Sequence, residues 1–225
     1  MVRSKLIDPD LVVLLWVTMG IEDFFLSFRM SEKVGCSRYD PFINAMGFEL
    51  VCKGYLLALK RSKYEGLGDT QAKIKVNELA KGMNHKVKDL VKEIKKSIGQ
   101  GKVQRLLDKK YAGYTGSKIL KAIEATYLEC RYPVPTPFYK RDKDFKVPGL
   151  KNAYFDPLYS SGLHKFCYEF CRLILSDLKL NFGITIPESW LKQKISGDEG
   201  IRFENLFFDS RKEDFMSQNL NCGPI

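Results

Sequence analysis

The chain has 225 residues, 44% hydrophobic and 28% charged, which excludes a wholly disordered protein and allows one large domain or two small ones. Its 17 glycines and 9 prolines are too few for a fibrous protein, and its 2 histidines leave little room for histidine-based catalysis or metal sites. The formal net charge is +10, and such a basic balance is typical of proteins that meet polyanions.

Two Asp-Pro pairs predict the starts of the first two helices. Asp8-Pro9 and Asp40-Pro41 each combine an N-cap residue with a proline at the first helical position, which predicts helices over residues 9–30 and 41–60. The second helix carries two adjacent apolar rows, so we expect it at the centre of the fold. Gly54 in its middle lowers helix propensity, and a close helix–helix contact there would explain the glycine.

The remaining pattern is also helical. Further helices are predicted over the following residues: 70–80, 85–98, 102–111, 117–130, 158–180 and a shorter one from 187. A loop rich in Pro, Lys and Asp is expected over 136–159, and the only strand candidates are 181–186 and 146–147. We therefore predict an all-α fold, a single bundle of five or six main helices.

The last thirty residues differ from the rest in charge. Residues 196–225 contain six acidic and three basic side chains, together with several phenylalanines. We expect a bundle domain over 1–195 and an acidic C-terminal tail over 196–225 that partly docks through its aromatic residues.

No membrane segment or disulfide framework is expected. The longest apolar run, 11–17, is shorter than the about 20 residues that a spanning helix needs, and it lacks the flanks of a signal peptide. The 6 cysteines form no CxxC pair, and the chain is large enough to fold without disulfides. These features predict reduced thiols in a cytoplasmic protein.

Nearly all of the excess positive charge lies in one segment. Residues 81–121 contain twelve lysines and arginines and three acidic residues, a net charge of +9. Phosphate contacts from such a segment would give salt-dependent binding that ignores sequence, and Tyr111 and Tyr114 would offer stacking surfaces. A solvated helix face is the alternative. The candidate nucleic-acid-binding residues are Lys88, Lys92, Lys95, Lys96, Arg105, Lys109 and Lys110.

Two clusters invite a further interpretation. His164, Cys167 and Cys171 share a helix face and could begin a zinc site with a fourth ligand from elsewhere. Apolar residues interleave with them, however, so we expect helix packing and no metal site or cofactor. Trp16 precedes three phenylalanines, at positions 24, 25 and 28, that follow the helical period only in part. These aromatic residues indicate either core or a dimer interface.

Four polar residues are weak catalytic candidates. Glu49 and Lys53 stand one helical turn apart in the favourable order for an ion pair, and both would be partly buried in a central helix. Glu49 would then meet His85 or Arg131. The alternatives are a purely structural pair and a polar site at the centre of the bundle.

Three short motifs lie on the predicted helices. Residues 42–60, FINAMGFELVCKGYLLALK, contain an E-x-x-x-K-like pattern from Glu49 to Lys53, residues 82–90, GMNHKVKDL, contain His85 followed by Asp89-Leu90, and residues 128–133 are LECRYP. The first two motifs together resemble those of the HEPN superfamily of helical bundles, in which an E-x-x-x-K-like helix precedes a "GHDL"-type helix start that residues 85–90 match loosely. The third is similar to the "RYP" helix ending of some members.

The resemblance implies a helical bundle, often dimeric, that is tied to RNA cleavage, nucleotide-modifying partners or antiphage defence. Its ribonuclease members use an arginine, four to six residues and then a histidine. The corresponding positions are Glu78, Leu79 and Ala80 before His85, and Pro157, Leu158 and Tyr159 before His164. None is arginine, so the cleavage motif is absent.

Three hypotheses follow from these observations. The first is a non-catalytic HEPN-like module that binds RNA or another polyanion, in a defence or toxin–antitoxin-like system. The second is a helical homodimer that acts as an interaction scaffold. The third is an enzyme with an unrecognised site at Glu49, Lys53, His85 and Arg131. The motifs of P-loop, GxSxG and HExxH enzymes are missing, which weakens the third.

Overall fold

A computed structural model describes residues 6–34, 40–129 and 161–208, and within them the fold is all-α, as predicted. The helices are α1 (Pro9–Val34), α2 (Asp40–Leu59), α3 (Asp69–Gly82), α4 (Val87–Ile98), α5 (Gln100–Asp108), α6 (Gly116–Glu129), α7 (Ser161–Asp177), α8 (Glu188–Lys194) and α9 (Gly197–Phe208). A two-stranded antiparallel hairpin, β1 (Lys110–Tyr111) and β2 (Tyr114–Thr115), connects α5 to α6.

Helix α2 is the centre of the bundle. It contacts α1, α4, α6 and α7, and fifteen of its twenty residues are buried. Helix α1 packs against α2 and α9, whereas α4 packs against α2, α5 and α6. The central position predicted for residues 41–60 is therefore confirmed.

Small residues bring α1 and α2 unusually close together. A Cβ atom added to Gly20 would lie 2.6 Å from the carbonyl oxygen of Gly47, and one added to Gly47 would lie 2.7 Å from the carbonyl oxygen of Gly20. A Cβ on Gly54 would lie 2.7 Å from Cγ2 of Val17. The close contact expected at Gly54 is present, because only glycine leaves room for the neighbouring helix there.

An aromatic cluster fixes α9 to the body of the protein. Phe203 and Phe207 are fully buried, and their ring centroids lie 5.5 and 5.3 Å from that of Tyr168 in α7. Phe24 of α1 lies 5.7 Å from the same ring. The expected partial docking of the tail is confirmed for α9, and the domain boundary at residue 195 stays a prediction.

The structure distinguishes between the two roles predicted for the aromatic residues of α1, core packing and a dimer interface. All three phenylalanines of α1, at positions 24, 25 and 28, are buried in the core, and Trp16 is half-buried against it. Their burial within one chain favours the core interpretation over a dimer interface, since a buried ring has no surface to offer a partner.

The structure differs from the predicted elements in two places. The strand candidate 181–186 is wrong: α7 continues into a π-helical turn, Leu178–Phe182, which Gly183 ends with φ 70°. The hairpin β1–β2 was not predicted, and its turn uses positive φ at Ala112 and Gly113. The loop 136–159 and the strand candidate 146–147 lie outside the described residues.

Among the helices that the structure describes, two have the length and composition of membrane spans. They are residues 9–31, with 56% of the most apolar window buried inside the fold, and Asp40–Leu59, with 72% buried. The core helix of a soluble protein meets the same criteria, and α2 in particular is enclosed by its neighbours. The expected cytoplasmic location stays a prediction.

Candidate functional site

Helix α2 carries a buried ion pair at the centre of the fold. Lys53 Nζ lies 2.8 Å from Glu49 Oε1, and each residue is only 5% exposed. The pair follows from the i, i+4 spacing, which places both side chains on one helix face. Because buried charges need partners, the two side chains compensate each other inside the bundle.

His85 completes a three-residue polar site. It lies in the turn before α4, where the Asn84 side chain accepts a hydrogen bond from the backbone N–H of Lys86 at 2.7 Å. His85 Nδ1 lies 2.9 Å from Glu49 Oε1 and 3.2 Å from Oε2, and its side chain is half-exposed. The expected meeting of Glu49 and His85 is present, and Arg131 lies outside the described residues.

This arrangement has the elements of an acid–base site. A carboxylate within hydrogen-bond distance of an imidazole nitrogen fixes the orientation of the ring, as in sites where an imidazole transfers protons. Glu49 is buried whereas His85 reaches solvent, so His85 is the group that a substrate would meet first. Lys53 lies behind them and neutralises part of the carboxylate charge.

The predicted nucleic-acid-binding residues divide into two groups. Three of them form ion pairs with carboxylates of the same chain, which reduces the positive charge they present: Lys88 with Glu124 at 2.9 Å, Lys96 with Glu93 at 2.7 Å and Lys109 with Glu169 at 2.7 Å. Lys95 donates instead to Gln104 Oε1 at 2.6 Å.

The positive charges of the other group have no carboxylate partner among the described residues. Lys92, Arg105 and Lys110 are exposed, and within residues 6–34, 40–129 and 161–208 none has a carboxylate within ion-pair distance. Lys102, which was not among the candidates, shares this property. We call these four side chains the basic surface; they lie on α4, α5 and β1, and α4 and α5 pack against each other.

The two tyrosines near this surface have different environments. Tyr111 is 2% exposed, packs edge-on against Phe166 and donates to Glu169 Oε2 at 3.0 Å. A ring in that position serves the core and offers no stacking face. Tyr114 is half-buried, with Lys118 Nζ 4.8 Å from its ring centroid.

A second polar cluster was missed by sequence reasoning. The sequence predicts Asp40 only as a helix cap, yet its buried carboxylate accepts hydrogen bonds from Ser27 and Ser31 of α1. Asn44, one turn along α2, donates to the Asp40 carbonyl oxygen at 3.1 Å. The two serines precede Asp40 by 13 and 9 residues, and such separations do not predict a contact. The cluster depends on how α1 and α2 pack, which the sequence pattern does not indicate.

His164 belongs to this cluster. Its Nε2 lies 3.5 Å from Asp40 Oδ2, and its Nδ1 lies 3.2 Å from the hydroxyl of Tyr168. Burial, and secondarily the Asp40 charge, raises the pKa of Tyr168 well above its usual value, so the phenol keeps its proton. All members are buried, and the cluster therefore tethers α1, α2 and α7 without reaching solvent.

The thiols near His164 do not join it in a metal site. Within the described parts of the chain, no three His, Cys, Asp or Glu side chains are placed to hold a metal ion. Cys167 and Cys171 lie in the core beside Cys52 of α2, and burial raises the pKa of all three thiols. They are small core residues, as the packing interpretation expected.

Comparison with protein-family models, curated proteins and solved structures finds no match to this chain. The HEPN resemblance is therefore still a prediction from the sequence patterns.

Proposed function

We propose that this protein is a non-catalytic, HEPN-like helical module that binds RNA or another phosphate-rich polyanion through the basic surface. The observation that supports the proposal is the set of exposed cations at Lys92, Lys102, Arg105 and Lys110, for which the described residues provide no carboxylate partner.

The physical argument is counterion release. A polyanion holds condensed cations along its backbone, and each lysine or arginine that neutralises a phosphate frees some of them. Side chains already paired with carboxylates release fewer ions, because a carboxylate competes with the phosphate. Binding should therefore depend more on Lys92, Arg105 and Lys110 than on Lys88, Lys96 and Lys109.

The setting of this activity follows from the sequence resemblance. HEPN-like bundles are tied to RNA and to defence or toxin–antitoxin-like systems, and the missing arginine–histidine spacing agrees with binding without cleavage. A cytoplasmic location is part of the same proposal.

The test is a gel-shift series with labelled single-stranded RNA across rising salt. The triple variant Lys92→Glu, Arg105→Glu, Lys110→Glu should bind at least tenfold more weakly, with a salt slope that is smaller by about 2. The matched control reverses three exposed lysines elsewhere, Lys63, Lys81 and Lys179, for which the described residues likewise provide no carboxylate partner, and it changes the net charge equally. Equal losses of RNA affinity in both triple variants would show that binding depends only on net charge. If the wild-type protein binds no RNA even at low salt, the proposal is refuted.

A second candidate function rests on the Glu49–His85 contact of 2.9 Å. This dyad would act as a general acid–base pair on a substrate that reaches the half-exposed imidazole. The same gels test this function. If the wild-type protein cleaves RNA and both His85→Ala and Glu49→Gln abolish cleavage while circular dichroism shows an intact fold, the protein is an enzyme that uses this dyad. Full-length RNA in every lane supports the non-catalytic proposal.

A further inference from the structure

The α1–α2 hairpin has an exposed outer side that both helices form. The helices run antiparallel, since side chains near the end of α1 bind the first residue of α2 and Gly20 meets Gly47 further from those ends. Met19 and Met46 each precede one of these glycines by one residue. In an antiparallel pair the same displacement leads to the same side, and the two methionines are 53% and 37% exposed.

This outer side is apolar. Further residues that lie three, four or seven positions from the methionines share it and are exposed or half-buried: Leu15 and Leu26 of α1, and Ile43 and Leu50 of α2. We call these four residues and the two methionines the hairpin face. The solvent side of a helix normally carries polar side chains, so a face of this kind marks a surface that another molecule covers.

Asp23 interrupts the hairpin face at the seam between the helices. A Cβ atom added to Gly47 would lie 3.0 Å from the Cβ atom of Asp23, which stands one turn from Met19. Its Oδ2 is buried without a hydrogen-bond partner among the described residues, and none of their lysines or arginines lies within ion-pair distance. Burial raises the pKa of Asp23, so its ionised carboxylate lowers the stability of the free protein. A charge kept at such a cost indicates a ligand that pairs with it.

The charges around the hairpin face favour a cationic protein segment over lipid. Two cations near Asp23 are already paired, Arg29 with Glu199 at 2.7 Å and Lys194 with Glu22 at 3.7 Å. A lipid surface would bring no cation on a fixed side chain, and helices that lie on membranes surround their apolar residues with lysine and arginine. The partner must therefore combine apolar side chains with a positive charge.

We propose that the hairpin face binds a cationic amphipathic helix of a partner protein, whose apolar residues cover Met19 and Met46 and whose lysine or arginine pairs with Asp23. The groove between two packed helices accepts a third helix, and methionine side chains adapt to its shape. From Leu15 to Leu26 the face is about 17 Å long, which matches about three turns of the partner. The basic surface lies on other elements, α4, α5 and β1, so this binding is independent of RNA.

The test is a selection from a displayed library of peptides about three to four helical turns long. We expect enrichment of peptides with apolar residues at helical spacing and a lysine or arginine beside them. The chain has a net charge of +10 and repels cationic peptides as a whole, so their selective binding needs a local acidic group. An absence of enriched peptides, or enriched peptides without a basic residue, would overturn the proposal.

Variants then locate the selected peptide. Asp23→Asn keeps the shape and removes an unpaired charge, and it should weaken binding about tenfold; replacing the basic residue of the peptide with glutamine should cause the same loss, with no further loss in the Asp23→Asn chain. Met46→Gln should also weaken binding. Ile74→Gln is its matched control, because Ile74 is 56% exposed on α3, and it should bind like the wild type.

Three results would contradict this assignment. Equal binding of the peptide to the wild type and to Asp23→Asn would exclude the charge pair. Flotation of the protein with phosphatidylcholine vesicles that Met46→Gln abolishes would assign the face to lipid. A dimer in sedimentation that Met46→Gln dissociates would assign it to a second copy of the chain.

Discussion

Glu49 and Lys53 carry their charges inside the bundle, where neither is more than 5% exposed. Removing both charges from water is costly, and their 2.8 Å contact recovers much of that cost. Removing one partner alone leaves an uncompensated buried charge. The pair is therefore important to stability whether or not it also takes part in chemistry.

This coupling is measurable by a double-mutant cycle. We expect Glu49→Leu and Lys53→Met each to lower the free energy of unfolding by about 3 kcal/mol, since each leaves the other ion unpaired. The double variant should lose clearly less than the sum of the two, because no buried ion is left. Urea unfolding at neutral pH measures all four chains, and additive losses would show that the two residues act independently.

Asp23 gives stability a pH dependence of its own. Burial, and secondarily Glu22, raises the pKa of Asp23 from 3.8 to about 6, and its Oδ2 has no hydrogen-bond partner among the described residues. A raised pKa means that the folded state holds the proton more tightly than the unfolded state. The ionised carboxylate thus destabilises the fold fully above pH 6, and the penalty disappears as the pH falls toward 4.

Asp23→Asn should therefore raise the melting temperature at pH 7.5 and leave it unchanged near pH 4. Melting curves of the wild type and the variant across this range measure the difference. Asp108→Asn, at an exposed carboxylate that ends α5, serves as the control and should show no such trend. A constant difference between wild type and Asp23→Asn would contradict the assignment.

Among the elements, the α1–α2 hairpin shows both the strength and the limit of sequence reasoning. Asp-Pro pairs set both helix starts, and Gly54 indicated a close contact, because local capping and propensity are encoded in neighbouring residues. The matching approach at Gly20 and Gly47 was not predicted, since it depends on where two helices cross. The Asp40 cluster and the π-helical turn escaped for the same reason: both depend on contacts between distant residues.

The glycine contact predicts a selective effect of added methyl groups. Gly20→Ala and Gly47→Ala should each destabilise the protein by about 1–3 kcal/mol, because the new Cβ would meet the backbone of the facing helix. Gly101→Ala, in α5, meets no atom within 4 Å and should stabilise by up to about 1 kcal/mol through helix propensity. Chemical denaturation compares the three variants, and equal effects would refute the close packing.

For the molecule as a whole, charge distribution was more predictable than chemistry. The sequence located the +9 segment, and the structure then showed which of its lysines are paired within the fold. At the polar site, the Glu49–His85 meeting was predictable because a helix spacing and a turn residue indicated it. The substrate class was not predictable, because the sequence lacks the P-loop, GxSxG, HExxH and arginine–histidine motifs that would indicate one.

Net charge also bears on global stability. With a formal charge of +10, the folded chain repels itself, and added salt screens that repulsion. We expect the melting temperature to rise between low and physiological sodium chloride. The Lys92→Glu, Arg105→Glu, Lys110→Glu variant should show a smaller rise, and an equal rise in both proteins would point to a general salt effect.

The three buried cysteines of the core can report how often the helix bundle opens. Cys52, Cys167 and Cys171 lie where α2 meets α7, with at most 1% of each residue exposed. A thiol reagent reaches them only when those helices separate, so their modification in native buffer times the opening of the bundle. Every variant described above can thus be compared, without denaturant, for how often these thiols meet solvent.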